Sequence, residues 1–326
     1  MPKPWERKKA PDGQSGGQAE ALEAKTVAVV ELSEEEAKMN GAPEGQLFTV
    51  VLQERDELEP FSAPAAPATG SENSKIEPPP ASLEANAAMA KLMRQLNDKG
   101  GSLLAWHLQF EACTNIRRFA VHHPSSLEPG QTVEGDDDGA ARLAKIVAFA
   151  VTAAKSARSS VQRNGILALQ DLVGAATVAD QLAAEKSTTM VSAIATVLVE
   201  CCASNQPKII RATAASALGT VAECESPLAE AMAQALGKSG GHKNKDVATQ
   251  ALLHTERCIK KVPDDTLKAK DLKLLIAVLH AGLLAKAPEA RSASTMAIRH
   301  LAAKQAKQMG DGGFKVCSRK RRLASA

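Results

Sequence analysis

Five stretches of the chain share one frame. An anchor residue is followed by a small residue four positions on, and by further residues, mostly apolar, at plus eight and plus eleven. The frames are Leu108, Ala112, Ile116, Phe119; Val161, Gly165, Leu169, Leu172; Ile210, Ala214, Leu218, Val221; Val247, Ala251, Thr255, Cys258; and Ala290, Ser294, Ile298, Leu301. Offsets of four, eight and eleven trace a single stripe along an α-helix. A small residue within that stripe lets a neighbouring backbone come close. A second helical stretch precedes each frame, over 83–97, 140–156, 181–203, 226–237 and 266–286. The unit is therefore an antiparallel helix pair. One such pair cannot bury its stripe alone, whereas stacked neighbours can.

The anchors lie 37 to 53 residues apart, which straddles the roughly 40–47 residues of HEAT and armadillo units. Composition agrees with helices packed on small side chains. Hydrophobic residues make up 44% of the chain, aromatic residues only 2%, and tyrosine is absent. Such a chain is poorly suited to a β-sandwich. The expected fold is all-α: an α-solenoid of about five HEAT/armadillo-like helix pairs behind a disordered N-terminal arm. The competing reading is a non-repeating helical bundle.

Three segments follow. Residues 1–82 form a low-complexity arm rich in Gly, Pro, Ser, Ala and Glu, including PAAPATGSENSKIEPPP, a composition expected of disorder. Two β-like islands interrupt it, KTVAVVEL at 25–32 and QLFTVVL at 46–52. They suit either a small hairpin or strands added to a partner's sheet edge. The repeat domain spans 83–308, with Ser82 as its expected first N-cap. A basic tail, 309–326, ends in KVCSRKRRLASA and suits the acidic tails of a protein partner, nucleic acid, nuclear import or plain solvation. The six cysteines make no C-x-x-C pair, and all but Cys317 fall in apolar helical stretches. Reduced core thiols are expected. No apolar run approaches the ~20 residues of a membrane span, and no apolar h-region follows MPKPWERKKA. An intracellular protein without a membrane partner is expected.

A stack of helix pairs has two edges, one made of the turns within pairs and one of the turns between them. Sorted this way, the charges separate. The turns within pairs hold Lys99; Lys155, Arg158 and Arg163; Lys208 and Arg211; Lys238, Lys243 and Lys245; Lys286 and Arg291. The turns between pairs hold Glu128, Glu134 and Asp136 to Asp138; Asp180; Glu223 and Glu225; Asp264 and Asp265, with Lys260 and Lys261 as exceptions. Helix dipoles do not select this arrangement. A cation at a helix N-terminus is unfavourable by roughly 0.3–1 kcal/mol. An acidic partner surface explains a basic edge, and a solvated basic face is the plain alternative.

Two segments carry a family resemblance. AWHLQFEACTNIRRFAVHHP (105–124) places a tryptophan at the opening of the first pair's second helix, and a His-Pro at its end. RSSVQR (158–163), followed by LALQDLV, opens the second helix of the second pair. PKIIRATAASALGTV (207–221) and PEARSASTMAIRHLA (288–302) are weaker echoes. Over about 84–305 the chain resembles a TOG domain, the HEAT-type tubulin-binding module, of the CLASP and crescerin (TOG-array) branch. The resemblance implies that the turns within pairs face tubulin. It implies contacts by Trp106, by Ser159, Ser160, Val161 and Arg163 with Arg158 beside them, by Lys208 and Arg211, by Lys243 and Lys245, and by Arg291. The implied partners are tubulin or microtubules and axonemal proteins. The implied setting is the cytoplasm and cytoskeleton, extending to the cilium or flagellum.

No phosphate-binding glycine loop, metal-spaced His/Cys set or Ser-His-Asp grouping is legible. The expectation is a protein that is not an enzyme and takes no cofactor. Two other functions compete with tubulin binding. One is a HEAT scaffold using its concave helical face for another protein. The other is nucleic-acid binding through the basic edge, against which the scarcity of stacking aromatics argues.

Overall fold

The structure, a computed structural model, describes residues 27–31, 47–61, 83–97, 105–129, 139–184, 187–223, 227–262 and 269–323. Ser82, Lys99, Glu134, Asp136 to Asp138, Cys224, Glu225, Asp264, Asp265 and most of the arm lie outside these residues. Within them the chain forms five helix pairs. The first helices are α1 (Leu83–Asn97), α3 (Gly139–Ala153), α6 (Thr188–Cys201), α8 (Pro227–Ser239) and α10 (Ala269–Leu283). The second helices are α2 (Trp106–His122), α4 (Ser159–Gly174), α7 (Lys208–Glu223), α9 (Lys245–Lys261) and α11 (Pro288–Leu323). A short extra helix, α5 (Ala176–Ala183), follows α4. The fold is an all-α solenoid. Second helices pack on second helices in the order α2, α4, α7, α9, α11, and first helices form the other layer.

The shared frame supplies the core. Ala112, Ala214, Ala251 and Ser294 are fully covered, and so are Ile116, Phe119, Leu169, Leu172, Leu218, Val221, Thr255 and Cys258. Gly165 shows why the plus-four residue must be small. A Cβ there would lie 2.6 Å from the Ala154 amide nitrogen and 2.8 Å from the Ala153 carbonyl carbon. In the fifth pair the same role is split, with Ser294 on α11 seated against Gly282 on α10. Helix α6 carries apolar residues almost all round, TTMVSAIATVLVEC. It sits mid-stack with neighbours on both sides, as a helix of that composition must.

The observed helices differ from the sequence reading at two places. The stretch 181–203 is divided, because α5 ends at Ala183 and α6 begins at Thr188, with the Ser187 hydroxyl donating to the Gln181 carbonyl at 2.8 Å. Extended backbone at Ala175 separates α4 from α5, which bend by 85°. Helix α11 runs to Leu323.

The two β-like islands pair with each other. β1 (Val27–Glu31) and β2 (Leu47–Val51) form an antiparallel ribbon with Val27 opposite Val51 and Glu31 opposite Leu47. The chain then stays on the solenoid. Leu52, Leu58 and Phe61 are buried, and a 3₁₀ turn at Arg55–Glu57 lies between them. This part of the low-complexity arm is ordered against the second-helix layer.

Cys113, Cys201, Cys202 and Cys258 are buried free thiols. Burial pushes Cys113 and Cys202 up to about 12 and Cys201 up to about 11, so they stay protonated and unreactive at neutral pH. His254 is buried on α9, and its Nδ1 meets no hydrogen-bond partner among the described residues. Burial first, and the Arg257 charge second, push its imidazole down to about 4. Between about pH 6.5 and pH 4 the unfolded chain binds a proton there that the folded chain refuses. Stability therefore falls as pH drops through that window, by about 3 kcal/mol from this group. Urea titrations from pH 7.5 to pH 4 are expected to show the fall, and His254→Leu is expected to remove most of this component.

Candidate functional site

The site begins with the turns that join each helix pair. After α3 the chain reverses within five residues, closed by hydrogen bonds that the Lys155 and Ser156 amides donate to the Thr152 and Ala153 carbonyls. Ser156 Oγ accepts from the Arg158 amide at 3.3 Å. The next helix then opens with its apolar anchor turned inward and its flanking cations turned out. Arg158 and Ser159 are exposed, Ser160 is half-buried, and Val161 is 0% exposed. The third and fourth pairs repeat this, with Lys208 and Arg211 flanking buried Ile210, and Lys243 and Lys245 preceding buried Val247. Asn244 caps α9 by accepting from the Asp246 amide at 2.9 Å, the standard satisfaction of a free helix-end donor.

Lys208, Arg211, Lys243, Lys245 and Arg291 are exposed along one edge. Arg291 also closes its own turn, donating through Nη1 to the carbonyls of Ala285 at 2.9 Å and Lys286 at 2.7 Å. Trp106 is only 6% exposed, and the Arg158 guanidinium sits 5.1 Å from its ring centroid. Trp106 and Val161 thus support the edge from beneath and do not line it. Arg163 lies one helical turn further in, on the second-helix face, where Nη2 meets Glu54 Oε1 at 3.3 Å.

The edge is basic but not purely so. Lys155 pairs with Glu200 at 3.7 Å, and Asp246 and Glu289 sit in the first turns of α9 and α11. On the opposite edge Asp180 and Glu223 are exposed and Glu128 is half-buried. Charge sorting missed two residues of the basic edge. Leu284 is 77% exposed in the α10–α11 turn, and Ile209 is 45% exposed between Lys208 and Arg211. Exposed aliphatics among cations suit a protein surface better than a polyanion backbone. Leu284 was visible in the sequence as a leucine placed within a turn.

Beneath the second pair lies a buried polar node that charge sorting did not reveal. Arg117, 1% exposed, donates from Nε to Asp171 Oδ2 at 2.9 Å. Its Nη1 donates to the Gln53 carbonyl at 2.7 Å and to Asn164 Oδ1 at 3.3 Å. Asn164 in turn donates to the Phe110 carbonyl and to Thr114 Oγ1, both at 2.9 Å. Burial pushes the Asp171 carboxyl up, and the charge and hydrogen bond of Arg117, then the charge of Arg55, oppose the rise.

Among the described residues no group of three or more His, Cys, Asp or Glu is placed to hold a metal ion, and no single helix is long and apolar enough to cross a membrane. No family model matches the chain, and no curated protein matches it. Among solved structures, a crescerin TOG domain array, described as regulating microtubules in the primary cilium, aligns at TM-score 0.43. Identity is 17% over 69% of this chain and 80% of that one. A designed armadillo repeat protein in complex with the peptide (KR)4 aligns at TM-score 0.34, with 14% identity over 66% of this chain and 82% of that one. An engineered protein aligns at TM-score 0.33, with 17% identity over 68% and 85%.

Proposed function

We propose that this chain is a non-catalytic docking module that binds tubulin or microtubules through the turns within its helix pairs. One observation carries the reading. Four consecutive turns present exposed cations on a single edge, with Ile209 and Leu284 exposed among them. Such an edge fits an acidic protein face, where charge steers encounter and a few apolar contacts hold the complex. The sequence resemblance of 105–124 and 158–163 to TOG domains selects tubulin among acidic partners, and extends the setting to the cytoskeleton and to the ciliary or flagellar axoneme. The contact set is Arg158, Ser159, Ser160, Lys208, Arg211, Lys243, Lys245 and Arg291. Trp106 acts as the platform that holds Arg158.

Co-sedimentation with microtubules and gel filtration with free tubulin test this. Lys208→Glu/Arg211→Glu is expected to weaken binding at least tenfold. Both side chains are exposed, so stability should change by no more than about 0.5 kcal/mol for each. Binding is expected to weaken as salt rises. A wild-type chain that ignores both forms of tubulin would falsify the tubulin reading.

A further inference from the structure

The second-helix face of the first two pairs is covered by the chain's own Leu52–Phe61. The way this segment is held differs from the packing of the helices. Four of its main-chain carbonyls, those of Gln53, Leu58, Glu59 and Pro60, are taken by long side chains of α2, while Glu54 O accepts from the Glu57 amide within the segment. Arg117 Nη1 donates to Gln53 O at 2.7 Å, and Arg118 donates through Nε to Glu59 O at 2.7 Å and through Nη2 to Pro60 O at 3.2 Å. His122 Nε2 lies 2.6 Å from Leu58 O. A carbonyl only accepts, so that nitrogen carries the proton.

Side chains add selectivity. Leu52 and Leu58 are buried. Phe61 stacks on Phe119 at 4.6 Å between centroids, with the Arg118 guanidinium 4.0 Å above its ring. Glu54 pairs with Arg163. The segment holds four acidic side chains against one arginine, and it faces Arg117, Arg118 and Arg163. Main-chain capture with alternating side-chain pockets is how domains read extended peptides, and solenoid faces are surfaces of this type.

We propose that this face is a peptide-docking groove, with Leu52–Phe61 as its resident ligand. An acidic peptide of the same pattern, folded through the same single 3₁₀ turn, replaces that segment in trans: aliphatic, acidic at plus two, aliphatic at plus six, aromatic at plus nine. The groove also runs past the resident segment. Beyond Glu54 a cavity of about 240 Å³ opens between α4 and α7, lined by Arg163, Leu167, Gln170 and Ile209. A trans ligand can use it, whereas the resident chain leaves toward β2. In cis the segment has the advantage of tethering, equivalent to millimolar local concentration for a short connection. Exchange therefore needs either a better ligand or a weakened resident. The resident segment lies on the second-helix face, whereas tubulin binding uses the turn edge; the two surfaces meet only at Ile209.

The test uses the full-length chain and a fluorescein-labelled peptide of residues 50–62, VVLQERDELEPFS. Leu58→Asp/Phe61→Asp unseats the resident segment. That variant is expected to keep its helical circular dichroism and to bind the peptide at least tenfold more tightly than wild type by anisotropy. Adding Arg118→Glu to it is expected to abolish binding, and a scrambled peptide is expected not to bind. Two results overturn the proposal. If the double variant loses helicity or cooperative unfolding, the segment is part of the core and not a ligand. If the double variant stays folded but takes the peptide no better than wild type, the face is not an exchangeable groove.

Discussion

Arg117→Ala is expected to destabilise the fold by about 3–5 kcal/mol, the range for removing one partner of a buried ion pair. Three acceptors lose their donor at once: the Asp171 carboxylate, the Gln53 carbonyl and Asn164 Oδ1. Arg55 is the other cation near Asp171, at 3.7 Å, but more than half of its side chain is in water. It cannot replace a guanidinium that is 1% exposed. Burial already pushes the Asp171 carboxyl up, and without the opposing charge and hydrogen bond of Arg117 it should rise further.

The expected signature is coupling. Arg117→Met/Asp171→Leu should recover much of the loss of either single change, because no charge is then left buried alone. Urea unfolding of the four proteins of this cycle measures it. Additive losses would mean that the two side chains do not act as a pair.

Gly165→Val is the second large effect. The Cβ of any larger residue meets backbone, at Ala154 N and at the Ala153 carbonyl carbon. Backbone yields less readily than a flexible side-chain end, so α4 must shift away from the end of α3. Gly165→Ala alone is expected to cost about 1–3 kcal/mol by overpacking, even though alanine favours a helix by about 1 kcal/mol over glycine. Valine should cost more, and should loosen the turn that ends at Arg158, seven residues away. Gly219 is the control. It also lies in a helix, yet a Cβ there meets nothing within 4 Å, so Gly219→Ala is expected to be neutral or stabilising. A thermal melt that ranks Gly219→Ala below Gly165→Ala would overturn this account of the small-residue frame.

Much of the helical architecture was legible because periodicity is a local property. The stripe from Val161 to Leu172 requires a helix with one buried face wherever the chain is placed. The cations beside each anchor were equally legible, since Lys208 and Arg211 bracket Ile210 by register alone. The inserted helix α5 was not legible. Apolar residues continue through Ala175, and only the extended backbone there, packed within the stack, breaks the run.

The frame and the sign of the turn edge were therefore determined by the sequence, through the 3.6-residue period and the positions of its breaks. The contacts of the charged residues were decided only in three dimensions. Arg117 and Arg118 are adjacent in one helix, yet one is buried in the polar node and the other lies over Phe61. Arg163 reads as an edge cation by register, but it meets Glu54, 109 residues away in the chain. Segment 52–61 has the composition of a linker, and its seat depends on carbonyl acceptors that every residue carries. Main-chain recognition leaves little trace in side-chain pattern, so a bound linker and a free one look alike until the groove that holds it is folded.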